Sequence, residues 1–179
     1  MIYAGIILLG ALFVMSARAS NGESFTVKKN FSDKYDSLFR KYGATYGIDP
    51  LVLKTIAANE SSVGENPRVK IGIEHPDQIY NSVSTDGKSW GLMQVTLSTA
   101  RQFEKSVTEV DLNNPEVSVR LAAKYINWVM RNYGSDLEYV VRSYNGGPAW
   151  KKTKIGPAAT QVYWSHFLAN YEKIKADGI

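Results

Sequence analysis

Cysteine is absent from the 179-residue chain, and histidine occurs only twice. The absence of cysteine excludes disulfide bonds, thiol catalysis and a lipid attached to a cysteine side chain. The two histidines, His75 and His166, lack the spacing of a metal site, so the sequence predicts no metal ion and no other cofactor. A domain of about 150 residues can bury enough surface to fold without covalent cross-links.

Long runs of charge of one sign are also absent, although the formal net charge is +4. The 21 basic and 17 acidic residues are interspersed, and the small basic clusters are Lys28-Lys29 and Lys151-Lys152. This distribution is typical of a solvated surface. Nucleic-acid binding is not predicted, because no basic helix or recognised nucleic-acid-binding module accompanies the charge.

A long hydrophobic run stands at the N-terminus, where residues 2–17 carry no charge. As a helix this run would span about 24 Å, which is less than the roughly 30 Å of a bilayer's hydrocarbon core. Ala17-Arg18-Ala19 supplies a small-x-small cleavage pattern, so residues 1–19 are predicted to be a signal peptide. No Lys or Arg precedes the run, and therefore a membrane anchor that stays uncleaved is the alternative. Both interpretations predict an exported or membrane-associated protein.

Residues 20–30 are polar and aperiodic and are predicted to be a linker into a domain of residues 31–179. Asp49-Pro50 and Asn114-Pro115 each combine an N-cap with a proline at the first helical position, which predicts a helix from each. The second is expected to be the longest helix of the chain, and Asp136 is expected to cap a shorter one. A last helix is predicted from Ala158 to Lys175, with these positions buried: Val162, Phe167, Leu168, Tyr171 and Ile174.

Residues 65–90 interrupt the helical pattern with two prolines and two glycines. The short pieces Val69–Ile71 and Gln78–Tyr80 favour β-structure, which predicts a loop or a small hairpin in this stretch. The predicted fold class is therefore mostly α, with a small irregular or β-hairpin insertion and an N-terminal hydrophobic segment.

Glu60 is unusual for its position on the helix that begins at Asp49-Pro50. It lies four residues after Ile56 and seven after Leu53, so it continues an apolar stripe. A desolvated carboxyl group has a raised pKa and is protonated near neutral pH, as a proton donor to a glycosidic oxygen must be. A glutamate in the last turn of a helix can equally reach solvent, and the local pattern leaves both interpretations open.

Four segments occur in a recognisable order along the chain: Glu60-Ser61, the GLMQV string from Gly91, the NPEVSVRLAAKYINWV string from Asn114, and the YNGG string from Tyr144. Each alone is weak, but together they resemble the signature segments of the SLT-type lytic transglycosylases, relatives of goose-type lysozyme. The resemblance covers roughly residues 35–175. It implies a lysozyme-like helical domain.

The resemblance also implies roles for particular residues. Glu60 corresponds to the catalytic acid/base of the family. Ser61 would orient the substrate or hydrogen-bond near Glu60. Met93 would supply an apolar wall of the cleft, and Gln94 an amide that binds an N-acetyl sugar.

Three later residues complete the predicted substrate-binding set. The Tyr144 hydroxyl would hydrogen-bond the Glu60 carboxylate or the sugar, and Asn145 would contact the substrate or serve only the turn that follows. Tyr163 resembles a late aromatic residue beside the family's cleft. Tyr125 and Trp128 are expected to lie in the core. Trp90 and Trp150 are expected either to stack on sugar rings or to pack at the edge of the core.

The activity implied by the resemblance is cleavage of the β-1,4 bond between N-acetylmuramic acid and N-acetylglucosamine in peptidoglycan glycan strands. The expected product carries a 1,6-anhydro end and no water is consumed. A goose-type hydrolase is the alternative, if Glu74, Asp77 or Asp86 in the 65–90 stretch positions a water molecule. A non-catalytic peptidoglycan-binding component is a third possibility.

Overall fold

The computed structural model describes residues 29–76 and 89–179, and the predictions for residues 1–28 and for Gln78–Tyr80 lie outside these ranges. The described residues are mostly helical, as the sequence predicts. Their α-helices are α1 (Asp36–Tyr46), α2 (Pro50–Ser61), α3 (Pro67–Glu74), α4 (Leu97–Phe103), α5 (Glu109–Asn113), α6 (Pro115–Tyr133), α7 (Leu137–Gly146) and α8 (Gly156–Asp177). A short 3-10 helix, Trp150–Lys152, connects α7 to α8.

The β-structure of the described residues is one small hairpin. Strands β1 (Ser89–Trp90) and β2 (Val95–Thr96) pair antiparallel, with Ser89 opposite Thr96 and Trp90 opposite Val95. The turn between the strands is the GLMQ string. The hairpin begins with the last two residues of the 65–90 stretch, and its turn and second strand follow that stretch.

The predicted helix starts are confirmed by the side-chain caps that form there. The Asp49 carboxylate accepts a hydrogen bond of 2.9 Å from the Leu51 N–H at the start of α2. The Asn114 side chain accepts from the Glu116 N–H at 2.9 Å at the start of α6. Asp136 caps α7 in the same way. These side chains satisfy N–H groups that have no partner within the helix.

The expectation of a loop or hairpin is wrong for residues 67–74, which form helix α3. Asn66 caps this helix by accepting a hydrogen bond of 3.1 Å from the Arg68 N–H, and Pro67 stands at its first turn. The Asn-Pro pair is the same helix-start signal that opens α6, and it outweighs the β-propensity of Val69 and Ile71.

Helix α8 also differs from its prediction, because its 22 residues make it longer than the 19-residue α6. Phe167 and Ile174 are fully buried, as predicted. Val162 is 58% exposed and Leu168 44% exposed, so their predicted burial is wrong. α8 packs along α2 and α7, and the exposure of Val162 and Leu168 shows that this packing does not cover them.

The core forms where α1, α2, α6 and α8 meet the hairpin turn, and its fully buried members include Phe39, Leu53, Ile56, Leu92, Leu121 and Phe167. An ion pair lies within this core: Lys54 Nζ of α2 is 2.7 Å from Asp36 Oδ1 of α1, and the two side chains are 1% and 6% exposed. Across residues 29–76 and 89–179, no helix is both long and apolar enough to cross a membrane. The packing brings the C-terminal turn of α2, which carries Glu60, against α8 and the hairpin.

Candidate active site

Glu60 is half-buried in the last turn of α2 and receives a hydrogen bond from α8. The Tyr163 hydroxyl donates to Glu60 Oε1 at 2.6 Å. Burial and the neighbouring Glu60 charge raise the pKa of Tyr163 well above its ordinary value. Tyr163 therefore stays protonated and acts as a permanent donor to the carboxylate.

Two asparagines hold Tyr163 in this position. Asn59 Nδ2 donates to the Tyr163 backbone carbonyl oxygen at 3.3 Å, and Asn170 Nδ2 donates to Asn59 Oδ1 at 2.8 Å. The contacts join the end of α2 to two turns of α8. Neither asparagine was predicted from the sequence. The available signal for Asn59 was its place next to Glu60, at a half-buried position of a largely apolar helix.

The hairpin turn is fastened to both α2 and α6. The Ser61 hydroxyl donates to the Leu92 carbonyl oxygen at 2.6 Å and accepts from the Gly64 N–H at 2.9 Å. The Met93 N–H donates to Ser118 Oγ of α6 at 3.0 Å. The side chains of Ser61 and Met93 are 1% and 0% exposed. In this arrangement they position the turn and do not present a surface to a ligand.

The conformation of the turn requires glycine at its first position. Gly91 has φ of 71°, and a Cβ added there would lie 1.8 Å from the Leu112 carbonyl oxygen of α5. Gln94 has φ of 48°, a left-handed conformation that is uncommon for a residue other than glycine. Its Nε2 donates to the Gly91 carbonyl oxygen at 2.8 Å, which closes the turn on itself. The close approach of backbones here explains the first glycine of the GLMQ string.

Tyr144 connects α7 to the same turn. Its hydroxyl donates to the Met93 carbonyl oxygen at 2.7 Å, whereas the sequence suggested a hydrogen bond to the Glu60 carboxylate or to the sugar. Burial and the Glu60 charge raise the pKa of Tyr144 well above its ordinary value. The protonated hydroxyl keeps an oxygen lone pair with which it can accept a hydrogen bond.

A cleft of about 170 Å³ opens beside Tyr144, and its lining includes Gln94, Thr96, Thr99, Tyr125, Tyr144 and Asn145. Tyr125 was expected in the core, yet one side of it faces this cleft. Its hydroxyl donates to the Ser143 carbonyl oxygen at 2.9 Å, and burial raises its pKa to about 12. Asn145 is exposed at the end of α7. The fold thus brings Gln94, Tyr144 and Asn145 together at one cleft.

The structure also describes four further candidates from the sequence: Trp90, Trp150, Glu74 and His75. Trp90 and Trp150 are 8% and 4% exposed, so neither offers a face on which a sugar could stack. Glu74 and His75 are exposed at the end of α3, and Asp77 and Asp86 lie outside the described residues. Within residues 29–76 and 89–179, no cluster of three acidic or histidine side chains could hold a metal ion.

Comparison with known proteins places this arrangement in a family. The family model of the transglycosylase SLT domain matches residues 37–167, which is well over half of the chain. The chain therefore belongs to the SLT transglycosylase domain family, as the order of its four segments predicted.

Two relatives illustrate the range of this similarity. The soluble lytic murein transglycosylase of Salmonella typhimurium is 27% identical over 142 residues, which are 76% of this chain and 20% of that protein. Protein IpgF of Shigella flexneri is 29% identical over 116 residues, which are 64% of this chain and 68% of that protein. The chain thus spans about a fifth of the length of the murein transglycosylase that it matches.

A solved structure supports the fold. The 70 kDa soluble lytic transglycosylase SLT70 of Escherichia coli superposes with a TM-score of 0.61 and 22% identity, over 80% of this chain and 24% of that one. The lysozyme-like helical fold predicted from the sequence is therefore confirmed.

Proposed function

We propose that this protein is a lytic transglycosylase that cleaves the β-1,4 bond between N-acetylmuramic acid and N-acetylglucosamine in peptidoglycan. The observation that carries the proposal is the Glu60–Tyr163 pair, a half-buried carboxyl group with a permanent hydrogen-bond donor at 2.6 Å. Membership of the SLT family and the similarity to a protein named as a murein transglycosylase support the choice of substrate.

Glu60 is the acid and then the base of the proposed reaction. Protonated Glu60 gives its proton to the glycosidic oxygen as the bond from that oxygen to the anomeric carbon breaks. The resulting carboxylate faces an oxocarbenium-like centre, which the 2-acetamido group of the sugar also stabilises. The carboxylate then takes the proton of the sugar's own 6-hydroxyl while that oxygen bonds to the anomeric carbon. Protons balance, no water is consumed, and the product is a 1,6-anhydro end.

The neighbouring groups suit this cycle. The hydroxyl of Tyr163 donates to the ionised form of Glu60, so it stabilises the carboxylate that exists between the two proton transfers. Gln94, Tyr144 and Asn145 line the cleft and offer amide and hydroxyl groups to N-acetylated sugars. Ser61 and Met93 act through the hairpin turn that they hold in place.

The decisive experiment digests purified peptidoglycan with the protein and determines the masses of the released fragments. Anhydro ends, lighter by one water than reducing ends, are expected. Reducing ends would identify a hydrolase and overturn the proposed transglycosylase reaction.

The same digestion tests the assigned acid. Glu60→Gln keeps the shape of the side chain and removes the transferable proton, so we expect activity to fall by at least about a thousandfold, with an unchanged circular dichroism spectrum. Substantial residual activity would refute the role of Glu60. Peptidoglycan binding without cleavage by the unmodified protein would instead indicate a non-catalytic assembly component.

We further propose that the protein acts outside the cytoplasmic membrane, where peptidoglycan lies. Residues 1–19 would serve as a signal peptide or as a retained anchor, and residues 31–179 would form the catalytic domain. The apolar, uncharged run of residues 2–17 supports export by either route.

A further inference from the structure

A second cavity, of about 300 Å³, lies against another strip of helix α6. Its lining combines aromatic rings, amides and positive charge, with Phe103, Lys124, Asn127, Trp128, Arg131 and Asn132 among the residues. The proposed reaction uses none of these side chains.

The cavity and the cleft beside Tyr144 are both lined by residues of α6. Tyr125, which lines the cleft, stacks on Trp128, which lines the second cavity, with ring centroids 5.9 Å apart and ring planes at 26°. The two cavities therefore lie on adjacent strips of α6, on either side of this pair of rings.

Positive side chains outnumber negative ones around the cavity. Lys124 Nζ donates to Glu104 Oε1 at 2.6 Å, and Arg120 hydrogen-bonds the same oxygen. Burial raises the pKa of Glu104, but the hydrogen bonds from Arg120 and Lys124 outweigh it and hold the pKa below its ordinary value. Glu104 is therefore ionised. One carboxylate is thus shared by two cations, Lys124 and Arg120. The lining itself holds two cations, Lys124 and Arg131.

The two amides of the lining are each anchored through their NH2 group. Asn127 Nδ2 donates to the Tyr46 carbonyl oxygen at 2.9 Å, and Asn132 Nδ2 donates to the Trp128 carbonyl oxygen at 2.7 Å. A side-chain amide oxygen is an acceptor for the N–H of a ligand. Cations for a carboxylate and amide oxygens for backbone N–H groups are the complement of an acidic peptide.

We propose that this cavity binds the peptide carried by N-acetylmuramic acid while the glycan strand occupies the cleft, with Arg131 recognising a peptide carboxylate. The inference rests on the proposed function. Arginine suits the task because its planar guanidinium pairs with both oxygens of a carboxylate. Arg131 lies six residues after Tyr125, which is about 9 Å along the helix axis and about a third of a turn round it.

The test compares two substrates, peptidoglycan strands that carry their peptides and the same strands stripped of peptides by an amidase. We expect Arg131→Gln to raise KM about tenfold on peptide-bearing strands and to leave kcat unchanged, because one charge-assisted hydrogen bond is lost. On stripped strands Arg131→Gln is expected to behave as the unmodified protein does.

Two matched variants distinguish recognition of the peptide carboxylate by Arg131 from an effect of the protein's net positive charge. Lys173→Gln removes one positive charge from an exposed position of α8 and is expected to change neither substrate's KM. Arg131→Lys keeps the charge without the planar fork and is expected to give an intermediate KM on peptide-bearing strands.

An equal effect of Arg131→Gln on both substrates, or no effect on either, would overturn the peptide site while the lytic reaction stands. Failure of the unmodified protein to cleave either substrate would overturn the proposed function, and the peptide site with it.

Discussion

The hydroxyl of Tyr163 reaches Glu60 from a position 103 residues further along the chain. This bond stabilises the carboxylate relative to the protonated acid. The proposed reaction begins with protonated Glu60, so activity is lost as the pH rises and Glu60 ionises. Because the Tyr163 hydroxyl favours the ionised form of Glu60, activity is lost at a lower pH than it would be without this hydrogen bond.

Tyr163→Phe is therefore expected to move the alkaline limb of the kcat/KM profile to higher pH. It is also expected to lower the maximum rate by about 10- to 100-fold, because a hydrogen bond to a charged group contributes about 1.5–3 kcal/mol. Tyr171→Phe, on the same helix and packed on Phe167, is the matched control and should leave the profile unchanged. A limb at the same pH in Tyr163→Phe and the unmodified protein would contradict this role.

Glu60 and Tyr163 illustrate how far individual site residues can be predicted from the sequence. Glu60 carries a local signal, since it continues an apolar stripe and stands in the Glu-Ser pair of a recognisable family. The pairing of Glu60 with Tyr163 has no local signal, because it depends on how α8 packs against α2. For the same reason the roles of Asn59 and Asn170 could not be predicted, because their contact joins positions 111 residues apart.

At the scale of secondary structure, helix starts are well predicted because their cause is local. Asp49, Asn114 and Asp136 satisfy N–H groups two or three residues away, and this bond forms whatever the helix later packs against. The helix α3 was missed although Asn66-Pro67 repeats the signal. The β-propensity of Val69 and Ile71 pointed to the wrong structure there, because the helix-start signal before them is stronger. Exposure along α8 was harder to predict, because apolar residues occur on more than one of its faces.

The hairpin depends on a close approach of two backbones, which makes Gly91 a test of how this element is held. Gly91→Ala would place a methyl group against the Leu112 carbonyl oxygen, and we expect a loss of about 3 kcal/mol or more in the free energy of unfolding. Gly47→Ala is the matched control, because Gly47 has φ of 68° but no atom within 4 Å of an added Cβ. Its expected cost is about 1–2 kcal/mol.

Urea denaturation of the two variants measures the difference. Equal destabilisation would mean that backbone strain alone accounts for the loss of stability in Gly91→Ala. The contact of the added methyl group with the Leu112 carbonyl oxygen would then contribute nothing. Loss of activity beyond the loss of folded protein in Gly91→Ala would show that the turn also sets the geometry of the cleft.

At the scale of the whole molecule, the candidate site is a product of tertiary packing. Glu60 comes from α2, Gln94 from the hairpin, Tyr144 from α7 and Tyr163 from α8. The core that joins these elements must therefore hold them in position, and it contains a pair of charged residues. Asp36 and Lys54 form an ion pair with both side chains almost fully buried.

Breaking this ion pair is expected to destabilise the whole fold. Asp36→Asn leaves the Lys54 ammonium buried without its counter-charge, and the expected loss is about 3–5 kcal/mol, a large part of a typical stability of about 5–15 kcal/mol. Lys54→Met is expected to cost a similar amount for the mirrored reason. The double variant Asp36→Leu with Lys54→Met should recover much of the loss, because a well-packed apolar pair has no charge to desolvate.

Chemical denaturation of Asp36→Leu, of Lys54→Met and of the double variant that combines them gives the coupling between the two residues. Lys70→Met is the matched control, because the exposed Lys70–Glu65 pair, with side chains 48% and 50% exposed, is solvated in the folded protein and its loss should change stability little. If the effects of the two buried substitutions simply add, the charges do not interact in the folded protein, and the stability of the α1–α2 contact rests on its apolar residues alone.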